Sequence, residues 1–472
     1  MDSANLSQAP NTDNSFRFIT TQNPESARDP AVRRQVRSHA VKHALQDKRK
    51  LERELSANFR PASISAARIS VVEKGTQTSQ SLGKLYSPLA SAYTSPRLEV
   101  LISHHAAKEA AEPVFSVAND VAFQTFPLVF RTGRDDPALL NAILLTFALA
   151  VTGGIMNQEC LGYQNMAMST IRERISSPDR PVSVATLGAI LLLAGVEARL
   201  GMPLQVQLHM TAISQLLDLC RASDVYLTDG IKRAIFWQDL NTSVITGSKR
   251  VVDHTTFPEL QWRRDPFSLN YFILPPGFQD QTHLFTEEFV EVLKDIHALQ
   301  CIRDSSDFIA EDTLMMVNLD NHHASIESRL AGLPNSSLFS ECVHFAAYLC
   351  ACMLCCKVYR HSVIPSQISA KLLQKLEQVH GDSIWDHWDG QTSCLLWLIF
   401  IGGSFAPVGT KSGYIELLRF KYATRFANRY QSWPAVHEVL KQFIWSEKAF
   451  SSQVKTFWED ASFVPNANRN FD

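Results

Sequence analysis

The sequence predicts an all-α fold, a large multi-helix domain preceded by a disordered N-terminus with a basic helical arm. Three observations carry this expectation. From about residue 98 onward, long apolar-rich segments alternate with short polar breaks and are framed by helix start and stop signals. Few runs alternate with a period of two. No Asn-Gly or Asp-Gly pair separates two apolar runs as a β-hairpin requires.

Residues 1–27 are polar and lack periodicity, which predicts disorder. Residues 28–60 form the basic arm. It holds Arg28, Arg33, Arg34, Arg37, Lys42, Lys48, Arg49, Lys50, Arg53 and Arg60 against Asp29, Asp47, Glu52 and Glu54. Ten bases less four acids give +6, leaving −8 for the rest of a chain whose total is −2. Pro30 suits the first turn of a helix. Residues 61–97 are Ser-rich, with Pro61, Pro88 and Pro96, and are expected to be a flexible linker with little capacity to form a core.

Residues 98–472 are expected to fold as one helical domain. Asp136 is placed to cap a helix that has Pro137 in its first turn, and Gly153-Gly154 ends it. Ser183 is placed to cap VATLGAILLLAGVEARL, a segment apolar on nearly every side that belongs in the middle of a helical assembly. Further helices are expected over 158–175, 204–219, 230–245, 286–302, 312–330, 338–359, 369–380, 392–401, 411–428 and 434–445. Pro275, Pro276 and Gly277 predict loop over 274–284, and Gly402-Gly403-Ser404 reads as a helix stop followed by a turn. The uncharged run 138–155 approaches membrane-spanning length. It contains Asn141, Thr146, Thr152 and the Gly-Gly break, with no aromatic belt or basic flank, so a buried core helix is expected. The run CLLWLIFIGG is too short to span, and no membrane partner is expected.

The N-terminal residues lack a basic region followed by an apolar one, so no secretory signal is expected. Nine cysteines, an odd count, predict reduced thiols inside the cell. The cluster Cys350, Cys352, Cys355 and Cys356 lies within an apolar helical run, where cysteine packs as a small hydrophobe and thiolates would be costly to bury. No metal site is expected there. The adjacent pairs His104-His105 and His322-His323 diverge by about 100° on a helix and are expected at the surface or as caps. The stretch from Trp385 to Gly390 is expected as a capping turn that tucks two tryptophans onto the bundle. The G-x-S-x-G, H-E-x-x-H, P-loop and dinucleotide motifs are missing. The sequence therefore predicts no enzyme, no catalytic residues and no cofactor.

Several segments together resemble a known family. DDPALLNAILLTFALAV, SPDRPVSVATLGAILLLAGVEARLG and QLHMTAISQLLDL are similar to the early helices of the regulatory, middle-homology-type domain of fungal-specific transcription factors, the group associated with Zn(II)2Cys6 proteins. SCLLWLIFIGGSF, SWPAVHEVLKQFIW and FWED resemble its closing helices, and FITTQNPESARDPAVRRQVRSHAVK is similar to an N-terminal block of members lacking the zinc cluster. A binuclear cluster needs six cysteines in a compact basic segment, and no cysteine precedes Cys160. Where family members often carry Gly-Gly after a histidine-bearing helix, this chain has DLCRASDVYL. The resemblance implies a nuclear regulator acting through a helical domain, with a transcriptional co-regulator or a small-molecule effector as its partner. A non-enzymatic scaffold that keeps the fold without binding DNA is the alternative.

On a helical wheel the stripe begun by Val32, Val36 and Ala40 is interrupted by His43, Asp47, Lys50 and Glu54. The arm is thus neither a core-packing helix nor a basic zipper. Arg33-Arg34 and Lys48-Arg49-Lys50, thirteen residues apart, resemble a two-part signal for an import receptor. The same bases, with Arg37, Lys42 and Arg53, are candidates for contacting DNA phosphates in a salt-dependent way. A merely solvated charged segment is the third reading.

Overall fold

The computed structural model describes residues 100–101, 103–104, 136–176, 182–264, 270–306, 308–309, 313–334, 337–354, 363–381, 390–421, 426 and 432–462. The expected disordered tail, basic arm and linker lie outside these residues, as does the turn at 385–389. Among the described residues every regular element is helical.

Helix α1 (Pro137–Val151) begins where the sequence marks it: Asp136 accepts a hydrogen bond from the Leu139 amide at 3.0 Å. It ends at Gly153 and Gly154, whose φ of +65° and +88° suit glycine alone. Asn157 caps α2 (Gln158–Ile175), whose bounds match the expected ones. Arg174 of α2 reaches back to Asp136 at 2.7 Å and ties the two helices together. Helix α3 (Val184–Arg199) is capped by Ser183, and every residue from Val184 to Ala198 is buried. A helix apolar all round has no face to offer water, so α1, α4 (Pro203–Ala222) and α5 (Asp229–Thr246) enclose it. Helix α5 also touches the second half of the domain, through α7 (Thr313–Gly332) and α9 (Val363–Gly381).

In that second half α8 (Leu338–Leu354) lies among α6 (Glu287–Asp304), α7, α9 and α10 (Thr392–Ser404). Cys350 and Cys352 are buried in α8, as packing cysteines should be, while Cys355 and Cys356 lie outside the described residues. Helix α10 is enclosed in turn by α9, α11 (Val408–Glu416), α12 (Trp433–Leu440) and α13 (Ser451–Ser462). Among the described residues no helix is long and apolar enough to cross a membrane.

Several expectations are corrected. The presumed loop contains a 3₁₀ helix (Pro276–Leu284), because Pro276 sits at its first position and Phe278 is drawn between Trp397 and Phe443, at 5.4 and 5.0 Å between ring centroids. Helix α10 does stop at this run, with Ser404 its last residue and Phe405 its cap, but the two glycines are not what ends it. They lie inside α10, where a Cβ on Gly402 would overlap Tyr414 and one on Gly403 would overlap Phe457. The helix expected over 411–428 starts earlier, as α11, and passes at Glu416 into a wider π turn (Leu417–Lys421). Helix α13 falls outside the periodic segments, although its closing FWED matched the family pattern.

Candidate functional site

The bases singled out in the arm, Arg33, Arg34, Arg37, Lys42, Lys48, Arg49, Lys50 and Arg53, lie outside the described residues. Within them, the densest polar chemistry is a buried seam along α7. All nine residues from Asp320 to Ser328 are buried, and all but Ala324 and Ile326 are polar. The pair His322-His323, expected at the surface or as caps, is therefore corrected: the two are 1% and 2% exposed. A polar helix is tolerated inside a core only where its donors and acceptors are matched. Here most of the matching groups come from α5, α6, α8 and the segment 250–264.

Glu327 is the hub. Its Oε1 lies 2.9 Å from His323 Nε2 and 3.3 Å from Cys352 Sγ, and its Oε2 accepts from the Tyr348 hydroxyl at 3.3 Å. His323 Nε2 is also 3.0 Å from the Ala351 carbonyl oxygen. Two acceptors on one nitrogen place the hydrogen on Nε2. Burial, then the Glu327 carboxylate, pushes both the Tyr348 phenol and the Cys352 thiol well above their ordinary values, so both remain donors. Removing the carboxylate would strand the Tyr348 and Cys352 donors in the core, at about 1–3 kcal/mol for each unsatisfied group.

The flanks of the seam are ionic. Asp320 pairs with Arg233 of α5, and Asn321 donates to the Glu259 carbonyl at 3.0 Å. Ser328 accepts from Arg250 at 2.8 Å and lies 3.2 Å from His254 Nδ1. Arg250 also reaches Asp239 at 3.3 Å, and the Asp239 carboxylate accepts the Val251 and Val252 amides at 3.2 Å. Burial nevertheless raises Asp239 above the usual carboxylate range, outweighing Arg250. Arg329 and Arg264 converge on Asp295 of α6. His322 stacks on Trp262 at 3.8 Å with ring planes 4° apart, and burial drives its pKa well below the ordinary value.

Sequence reasoning singled out Cys352 only as a packing cysteine, and none of Glu327, Tyr348, Arg250 or Asp239. One usable signal was present, the His323–Glu327 spacing of four, which puts both on one helix face. The four side chains at the hub are at most 4% exposed, so the cluster shares protons internally and offers no atom to an outside molecule.

The chain matches the fungal specific transcription factor domain over residues 111–462. It belongs to that family. The match covers both halves of the described bundle, from α1 to α13, and so takes in the α7 seam and the enclosed helices α3 and α10 as parts of one fungal transcription factor domain. No curated protein and no solved structure matches the chain.

Proposed function

We propose that the protein is a nuclear transcriptional regulator that works through its helical domain, without catalysis and without a zinc-cluster reader. The family match over 111–462 is the observation that supports this reading. Because the α7 seam is closed, regulation is assigned to the outer helix surfaces, where a transcriptional co-regulator would bind. The +6 arm supplies import and, through Arg33, Arg34, Arg37, Lys42, Lys48, Arg49, Lys50 and Arg53, contact with DNA phosphates.

Chromatin immunoprecipitation of the tagged full chain tests the reading. Enrichment at particular promoters is expected, and uniform background across the genome would leave a scaffold that does not bind DNA. A reporter fused to residues 28–60 is expected in the nucleus, and losing that localisation on replacing Lys48, Arg49 and Lys50 by alanine identifies the import signal. Cytoplasmic fluorescence from the unmutated fusion overturns the import role.

A further inference from the structure

Helix α4 has two apolar faces and the domain covers one of them. Val206, Met210, Ile213, Leu216, Leu217 and Cys220 are buried against the bundle. On the other side Leu204, Leu208 and Leu219 are 76%, 71% and 52% exposed. With exposed Thr211 and Gln215 between them, they lie on a single strip of the 3.6-residue helix. The strip is held firmly. His209 Nε2 lies 2.9 Å from buried Glu197 of α3, and Gln207 Oε1 accepts the Lys249 amide at 2.8 Å.

The strip is complementary to itself. Positions 204 and 219, 208 and 215, and 211 and 212 are symmetric about one point on the helix. When α4 pairs with an antiparallel copy, Leu204 meets Leu219 of the partner subunit and Leu208 meets Gln215 of the partner subunit. The small Thr211 and Ala212 fall at the crossing, where two backbones approach most closely. The charges follow the same symmetry. Exposed Asp218 lies towards the C-terminal end of one flank of the strip, and exposed Lys249 is anchored beside Gln207 on that flank near the other end. A two-fold axis that sets the helices antiparallel keeps this flank on one side, so Asp218 faces Lys249 of the partner subunit. In the isolated chain Asp218 pairs with Arg221 at 2.9 Å, with both side chains largely in solvent.

We propose that this face is the two-fold interface of a homodimer, built by antiparallel pairing of α4 with α4 of a second copy. The inference goes beyond the regulatory role and does not depend on it. A 20-residue helix is about 30 Å long, so the contact is smaller than a standard protein interface and the dimer depends on concentration.

Sedimentation of the full chain from about 1 to about 100 µM tests this. The mass is expected to rise from 52.9 kDa towards twice that value. Leu208→Asp is expected to weaken dimerisation by at least about tenfold while leaving the circular dichroism and melting temperature unchanged, because the residue is already exposed. Asp218→Lys should weaken it too, and adding Lys249→Asp should restore it. A monomer at every concentration overturns the proposal, including one that instead binds an added leucine-bearing peptide. So does a dimer that survives Leu208→Asp, because it must use another surface.

Discussion

His322 is packed face to face with Trp262 and is held neutral by burial, with the neighbouring Arg329, His323 and Arg264 adding to the effect. His254 and His344 are also shifted downward, mainly by burial. A histidine depressed in the folded state binds its proton more tightly when unfolded. Its contribution is therefore complete above about pH 6.5 and is lost as pH falls from there towards the depressed values, at up to about 1.4 kcal/mol per pH unit for each such residue. Melting curves between pH 7.5 and 5.5 should fall more steeply for the native chain than for His322→Phe, which keeps a ring against Trp262 but takes up no proton. Parallel curves would mean that His322 is charged in the fold. The burial of these residues was hidden in the sequence for a physical reason. Periodicity reports where apolar side chains point, and a polar residue enters the core only because distant partners such as Trp262, Tyr348 and Arg250 meet it there. Those partners lie 21 to 78 residues away along the chain in the contacts that carry the seam.

At the scale of elements, the segments whose ends have local causes were legible. Asp136, Ser183 and Gly153-Gly154 set boundaries through hydrogen bonds and dihedral angles within a few residues, and the structure keeps all three. Gly402 and Gly403 stand at the end of α10 without causing it, because glycine carries two meanings. At Gly153 it supplies a positive φ, whereas in α10 it supplies room for Tyr414 and Phe457. The Tyr414 hydroxyl crosses that gap to donate to the Ser369 carbonyl at 2.6 Å, and Ser369 Oγ donates to the Gly402 carbonyl at 2.9 Å. A methyl group at 402 pushes on this three-helix junction. Gly402→Ala, although it raises helix propensity, is therefore expected to lower stability by about 1–3 kcal/mol through overpacking. Urea denaturation measures it, and an unchanged or higher midpoint would show that Tyr414 can move aside freely.

Across the whole molecule the all-α class was legible because apolar length and capping are sequence-local, while the closure of the bundle was not. The segment from Gln442 to Glu447 fastens parts of the chain that are far apart in sequence. The Gly277 amide donates to the Gln442 carbonyl at 2.7 Å, and Trp397 Nε1 donates to the Ile444 carbonyl at 3.1 Å. The Trp445 amide donates to Gln300 Oε1 at 2.9 Å, and Ser446 Oγ donates to Asp304 at 2.7 Å. A chain ending at residue 431 loses all four links together with α12 and α13. It is expected to lack a cooperative thermal transition and to bind a hydrophobic dye, and a sharp transition in that fragment would show that helices α1 to α11 close without them. Phe443 also fills the space beside Gly277 and stacks on Trp397 at 5.5 Å. It leaves the ribosome 165 residues after Phe278 (443 − 278), so at about 5–20 residues per second Phe278 waits roughly 10–30 s for its cover. For that interval the nascent chain carries an aromatic patch that its final partner has not yet covered.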